Sequence, residues 1–337
     1  MTPIDRRTLL AGTLAGAALT SPALAQTGAK TGTRAVTQTF PLPSGFERFP
    51  IWPGKAPGGE RVTVQEQETL RQPDSQSDDT AFSHVTTPTL TLLRPETLGV
   101  KPNGAAMLLI PGGGYTRVAI GKEGYAIARR FAQAGYTCFA LVYRLPADGW
   151  TAGAEAPLQD AQRALRIVQA LGKREKFDAE RVGVMGFSAG GHLAAWLTSR
   201  TPQESYAPVD ASDREPIKAA IAAYMYPVIQ MEGPFVHAGS RMQLLGANPT
   251  AERLRAYSLD QDVSAQTPPI FLAHALNDVA VPPENSLAML AALRAKKIPV
   301  ECHLFENGNH GFGLSAPPAA PAPWPDLFLS FARRHGL

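Results

Sequence analysis

A serine set between two glycines fixes much of what this chain can become. Gly186-Phe187-Ser188-Ala189-Gly190 follows an apolar run, Arg181-Val182-Gly183-Val184-Met185, that reads as a strand. It precedes Gly191-His192-Leu193-Ala194-Ala195-Trp196-Leu197, which reads as a helix. A strand that turns abruptly into a helix lifts the side chain between them out of the backbone, at the carboxyl edge of a sheet. Glycines on both sides let strand and helix approach closely. The five-residue pattern alone recurs by chance, and its strand–turn–helix setting is what gives it weight.

That setting extends along the chain. Strands are expected at 61–64 and 89–93, with the polar run 72–79 between them suggesting an antiparallel edge pair. Ala105-Ala106-Met107-Leu108-Leu109-Ile110 is continuously apolar, as a strand buried on both faces would be. A helix at 124–134 stops at Gly135. Then come a strand at 136–143, a helix at 158–171 with its apolar residues at helical spacing, and the strand before Ser188. Further strands at 219–224, 269–273 and 300–305, and helices at 284–297 and 326–334, complete the series. Such alternation predicts an α/β fold, a mostly parallel central sheet with helices on both faces. Residues 226–268 show weak periodicity and read as a small cap or a surface excursion. With 44% hydrophobic and 18% charged residues, 337 residues suit one large domain, and no internal repeat is visible.

Residues 1–25 read as an export signal, leaving 26–39 as a Thr/Gly/Ala-rich tether and 40–337 as the folded domain. Arg6-Arg7 precede an apolar segment from Leu9 to Leu19, and Ala23-Leu24-Ala25 is a small-x-small cleavage site. The paired arginines resemble a twin-arginine leader, with general secretion the alternative. Export to the periplasm or beyond is expected, with cleavage near Ala25 and no stable membrane span. A formal charge of +3, with no Lys/Arg run longer than two, argues against nucleic acid as a partner. Cys138 and Cys302 fall in apparent strands and read as buried thiols, and no cofactor or metal motif is present.

A serine hydroxyl needs a base, and the base needs an orienting group. In a sheet of this kind the chain order is serine, acid, histidine. Asp278 lies in the turn after Ile270-Phe271-Leu272-Ala273-His274, and His310 lies in the glycine-bearing Asn307-Gly308-Asn309-His310-Gly311-Phe312-Gly313 after the last strand. Both segments leave carboxyl ends of strands, where such sheets assemble their sites. His274 and His237 are the alternatives for the base, and Asp260 and Asp262 for the acid. His192 is expected to point into packing near the elbow, and His274 to brace the Asp278 loop. Pro111-Gly112-Gly113-Gly114-Tyr115 follows a buried strand, so its amides, with that of Ala189 at a helix N-terminus, can face a developing oxyanion.

Together these stretches resemble the α/β-hydrolase superfamily over nearly the whole mature chain. The closest resemblance is to the esterase branch that holds acetyl xylan esterases and related hemicellulose or feruloyl esterases. It is carried by Ile51-Trp52-Pro53-Gly54-Lys55-Ala56-Pro57-Gly58, by Pro111–Tyr115 with Glu123-Gly124 after it, and by Tyr143-Arg144-Leu145. The resemblance implies Ser188 as nucleophile, Asp278 as acid, His310 as base, and oxyanion donors at Gly113, Gly114 and Ala189. Lipase-type relatives carry histidine where this chain has Pro111, which favours the carbohydrate-esterase branch. The implied activity is a serine carboxylesterase removing acetyl groups from hemicellulose or its oligosaccharides. A feruloyl or general short-chain esterase, and a non-catalytic binding protein on the same fold, are the alternatives. Tyr115, Trp150, Tyr226 and Trp324 are candidate platforms for a sugar ring.

Overall fold

The computed structural model describes residues 40–314 and 324–337, so the leader and tether expected at 1–39 lie outside the described residues. Among the described residues the elements follow in the order β1 (Phe46–Pro50), β2 (Gln67–Leu70), β3 (Thr80–Ser83), β4 (Thr89–Leu93), β5 (Ala106–Ile110), α1 (Ala126–Ala132), β6 (Thr137–Val142), α2 (Ala156–Glu175), β7 (Val182–Phe187), α3 (Ala189–Ser199), β8 (Ile221–Met225), α4 (Ala238–Leu245), α5 (Ala251–Ala256), β9 (Ile270–Ala275), α6 (Glu284–Ala295), β10 (Val300–Phe305) and α7 (Trp324–Arg334). Eight strands make one sheet in the order β1-β4-β6-β5-β7-β8-β9-β10. Pairing is parallel from β6 through β10, and β4 is antiparallel to both of its neighbours. The fold is that of the α/β hydrolases.

Every residue of β5, β6, β7, β8 and β9 is buried, which is why these segments are continuous apolar runs rather than alternating ones. Helices cover both faces. On one, Phe131 of α1 packs edge-on against Phe328 of α7 at 5.3 Å between ring centroids. On the other, α2 packs against α3.

The predicted edge pair is corrected. Residues 61–64 form no strand and none of them is buried. β4 instead pairs with β1 and β6, because Leu90, Leu92 and Leu93 are fully buried and belong between two strands. The polar run 72–79 does connect a hairpin, but it is that of β2 and β3, a separate two-stranded sheet. Glu66 accepts the amides of Thr86 and Thr87 at 2.8 and 2.9 Å and so holds the segment just before β2 without strand pairing. The helix expected at 124 begins earlier, with a wide π turn at Gly121–Tyr125.

Residues 226–268 hold α4 and α5, and α5 has no buried residue. Three of the stretches singled out in the sequence meet in one fastening. Asp160, fully buried on α2, accepts from Trp52 Nε1 (2.8 Å), from the amide of Arg144 (2.8 Å) and from its Nε (3.0 Å). Arg144 Nη1 donates on to the carbonyl of Pro57 (2.7 Å), and Tyr143 Oη donates to that of Pro111 (2.9 Å). A buried pair is safe only when its remaining hydrogen-bonding capacity is filled, and here it is.

Candidate active site

β7 delivers Ser188 at the start of α3 with φ 53° and ψ −119°. A non-glycine residue with positive φ stores strain of about 1–3 kcal/mol and persists only when its surroundings over-determine it. They do. The Ser188 amide donates to the Met225 carbonyl at 3.0 Å, and its carbonyl accepts from His192 and Val228, each at 3.1 Å. Gly190 is required by close approach, since a Cβ there would lie 2.2 Å from the Ile110 carbonyl oxygen.

The structure brings Ser188, His310 and Asp278 together. Ser188 Oγ lies 2.8 Å from His310 Nε2, and His310 Nδ1 lies 2.7 Å from Asp278 Oδ2. With Nδ1–H donated to the carboxylate, Nε2 is left to accept the serine proton. Asp278 Oδ1 accepts the amides of Ala280 and Val281 at 3.0 and 2.9 Å. Burial by itself would raise the Asp278 carboxyl, but hydrogen bonds from His274, His310 and the Val281 amide outweigh it and hold the group well below the usual carboxylate range. The acid is therefore a fixed anion beside the imidazole.

The alternatives take other partners and none replaces His310 or Asp278 in the relay. His274 Nδ1 meets Ser286 Oγ (2.7 Å) and its Nε2 the carbonyl of Val281 (2.9 Å), so it braces the Asp278 loop. His192 is fully buried against Tyr115 Oη and the Tyr257 carbonyl. Asp260 contacts Gln230 and Asp262 contacts Arg200. His237 Nδ1 is engaged by Ser240.

The glycine loop follows β5. Gly113 has φ 131°, and a Cβ there would lie 2.1 Å from the Arg117 carbonyl oxygen, so only glycine allows this turn. The amide of Gly112 donates to Glu123 Oε2 at 2.7 Å and is spent within the protein. Those of Gly113 and Gly114 have no protein acceptor among the described residues. Ala189 opens α3, where a first-turn amide has no intrahelical partner.

Sequence reasoning gave Glu123 no role. It is buried in the π turn, and its second oxygen accepts from Tyr226 Oη at 2.9 Å. Tyr226 in turn packs edge-on against the His310 ring at 5.4 Å and against Phe312 at 4.6 Å. Burial, then the Glu123 charge, push the Tyr226 phenol well above its ordinary value, so it stays a donor. One carboxylate thus ties the glycine loop to the packing behind the histidine. The available signal was a lone acid between glycines, in a helical stretch just after that loop.

The four candidate sugar platforms are corrected. Tyr115, Tyr226 and Trp324 are at most 1% exposed, and each polar tip is bonded inside the protein: Tyr115 to His192, Tyr226 to Glu123, Trp324 to the Gly313 carbonyl. Trp150 is buried at 6%, with the Arg144 guanidinium 4.9 Å from its ring centroid. None offers a free face. Their aromaticity is absorbed by packing: Trp150 against Arg144, Tyr115 against His192, Tyr226 against His310 and Trp324 against Phe131.

Among the described residues, no group of three or more His, Cys, Asp or Glu is placed to hold a metal ion, and no helix is long and apolar enough to cross a membrane. The BD-FAE family model matches residues 97–293, well over half of the chain. The chain belongs to the BD-FAE family. The BD-FAE match covers the elbow, the glycine loop and Asp278 and ends before His310. An acetyl ester-xyloside bifunctional hydrolase from Caldicellulosiruptor lactoaceticus has a similar structure, with a TM-score of 0.69 at 30% identity, covering 88% of this chain and 98% of that one. Endo-1,4-beta-xylanase B of Butyrivibrio fibrisolvens is 36% identical over 215 residues, 62% of this chain and 32% of that protein. An acetylxylan esterase of Xylanibacter ruminicola is 30% identical over 217 residues, 63% of this chain and 42% of that protein. The match thus spans only a third to two fifths of the length of these two curated relatives.

Proposed function

We propose that this BD-FAE family member is a serine carboxylesterase that removes acetyl groups from hemicellulose, xylan in particular, or from its oligosaccharides. The observation that carries the reading is the continuous relay from Ser188 Oγ through His310 to Asp278, at 2.8 and 2.7 Å. Ser188 attacks the ester carbonyl as its proton passes to His310 Nε2, and Asp278 holds the imidazole and steadies its positive charge. The oxyanion meets the free amides of Gly113, Gly114 and Ala189, one such donor being worth about 3–4 kcal/mol in the transition state. His310 then protonates the departing sugar oxygen, and water, activated by the same histidine, releases acetate.

The choice of a sugar ester is supported by relatives named for acetylxylan and acetyl ester-xyloside hydrolysis. In this reading residues 1–25 direct export, with cleavage near Ala25, 26–39 tether the domain, and 40–337 form it, so the enzyme meets polysaccharide fragments outside the cytoplasm. No cofactor is used. Acetate release from acetylated xylan, beside ferulate release from feruloylated arabinoxylan, tests the substrate. Ferulate release alone would replace the reading with a feruloyl esterase, and cleavage of aryl acetates alone would leave a general short-chain esterase. A fluorophosphonate probe should label Ser188, and wild type left unlabelled would point to a binding protein.

A further inference from the structure

α4 is capped by a histidine, an unusual choice where Ser, Thr, Asp or Asn is preferred. His237 Nδ1 accepts the Ser240 amide at 3.1 Å and lies 2.8 Å from Ser240 Oγ. An imidazole nitrogen that accepts a backbone N–H carries no proton, so the hydrogen of neutral His237 sits on Nε2. That Nε2–H has no acceptor among the described residues, and His237 is only half-buried. Burial, followed by the neighbouring His310, lowers its pKa, which keeps the ring neutral and the tautomer single.

The ring also stands at the mouth of the site. A side-chain carbon placed on Gly114 would lie 3.9 Å from His237 Cε1, so the histidine flanks the very loop whose amides face the oxyanion. Its position is fixed from behind. Asn285, fully buried on α6, accepts the amides of Ile229 and Gln230, each at 2.9 Å, and donates to the Phe235 carbonyl at 2.9 Å. The excursion is thereby pinned just two residues before His237. A rigid, neutral donor beside both the oxyanion loop and the histidine that protonates the leaving oxygen is placed to meet the alcohol half of an ester.

We propose that His237 Nε2–H donates a hydrogen bond to a hydroxyl or ring oxygen of the sugar that carries the acetyl group, and so selects hydroxyl-bearing alcohol parts over plain aryl ones. The inference rests on the sugar-ester reading above. It adds a binding residue on the α4 excursion, outside the strand-end machinery.

The test varies the alcohol at constant acyl group. His237→Ser keeps a hydroxyl acceptor for the helix cap but removes the reaching donor. With this variant kcat/KM on acetylated xylo-oligosaccharides should fall about tenfold, mostly through KM, as expected for one lost hydrogen bond made in ground and transition states alike. On 4-nitrophenyl acetate it should stay within about twofold of wild type, since that alcohol offers no such acceptor. An unchanged rate of fluorophosphonate labelling checks that Ser188 and His310 are undisturbed. His237→Phe, which loses both cap and donor, should lower the sugar-to-aryl ratio at least as far. If the ratio in His237→Ser equals that of wild type, His237 is a cap alone and the assignment is overturned. If wild type releases no acetate from the oligosaccharide yet cleaves the aryl ester, the sugar-ester reading fails and takes this inference with it.

Discussion

The strand-end machinery and the excursion of residues 226–268 are built on different terms. On the sheet side, Ser188, Asp278, the glycine loop and Glu123 stand at carboxyl ends of buried strands or in the turn beside them, and the side chains of Ser188, Asp278 and Glu123 are bonded within the protein, leaving the Gly113 and Gly114 amides as the free donors. On the other side, α4 and α5 stand on a loop excursion. α5 has no fully buried residue, Phe235 and Met242 are 37% and 50% exposed, and His237 Nε2 has no hydrogen-bond partner among the described residues. The contrast separates two duties. Reaction chemistry needs groups that cannot move, whereas discrimination among alcohols needs groups that still have bonding capacity to offer.

That comparison can be broken by substitution, and the largest effect falls on the sheet side. Ser188→Ala should lower kcat by about 10⁵–10⁶-fold, the scale seen when a nucleophile acting with its base is removed, and should abolish fluorophosphonate labelling. Residual labelling at another residue would break the assignment. Next in size is Asp160→Ala, which leaves Arg144 buried without its partner and should cost about 3–5 kcal/mol in urea unfolding. A loss under about 1 kcal/mol would mean that the Trp52–Asp160–Arg144 fastening is dispensable.

The third concerns pH. Burial lowers the His192 pKa to about 4, below its ordinary value. The unfolded chain therefore takes up a proton near pH 6.5 while the folded one resists until about pH 4, so stability is lost as pH falls through that window. The full effect is about 3 kcal/mol, and His192→Gln should flatten the slope between those limits. Unfolding midpoints at pH 7, 5.5 and 4.5 read it directly.

Glu123→Gln preserves shape but weakens the acceptor that holds Gly112 and Tyr226. A drop of roughly tenfold in kcat with KM nearly unchanged is expected, since in the proposed mechanism the loop that Glu123 steadies through Gly112 supplies amides to the transition state. A change confined to KM would assign Glu123 to substrate binding instead. The smallest effect belongs to the excursion: Thr250→Ala removes the α5 cap, an acceptor for the Arg253 amide at 3.2 Å, and should cost about 1 kcal/mol or less with kcat on aryl acetates unaltered.

How far each region was legible follows from the range of its interactions. The elbow, the glycine loop and the loops of Asp278 and His310 are local: a few consecutive residues next to an apolar strand state the geometry they need. The roles of Glu123 and Asp160 could not be read because they lie in partners 103 and 108 residues away along the chain, Tyr226 and Trp52. The aromatic side chains misled for a related reason. A tyrosine offers one face to sugar or to a core with equal ease, and only burial of Tyr115 and Tyr226 decides between them. Strand 61–64 failed because Val62 and Val64 carry β propensity without the burial that makes it count.

The placement of His310 carries a consequence for how the protein comes into being. It follows β10, which among the described residues is the last strand at its end of the sheet and pairs only with β9. A chain emerging from the ribosome therefore presents the serine, the glycine loop and the aspartate before His310, the base of the proposed mechanism. β10 pairs with β9 at a separation of 30 residues, Val300 with Ile270, and until that pairing forms Ser188 lacks its His310 partner. Reactivity is therefore expected to arrive last, when the edge strand that carries His310 docks. During refolding, circular dichroism should recover ahead of probe labelling, and that lag measures the docking of one strand.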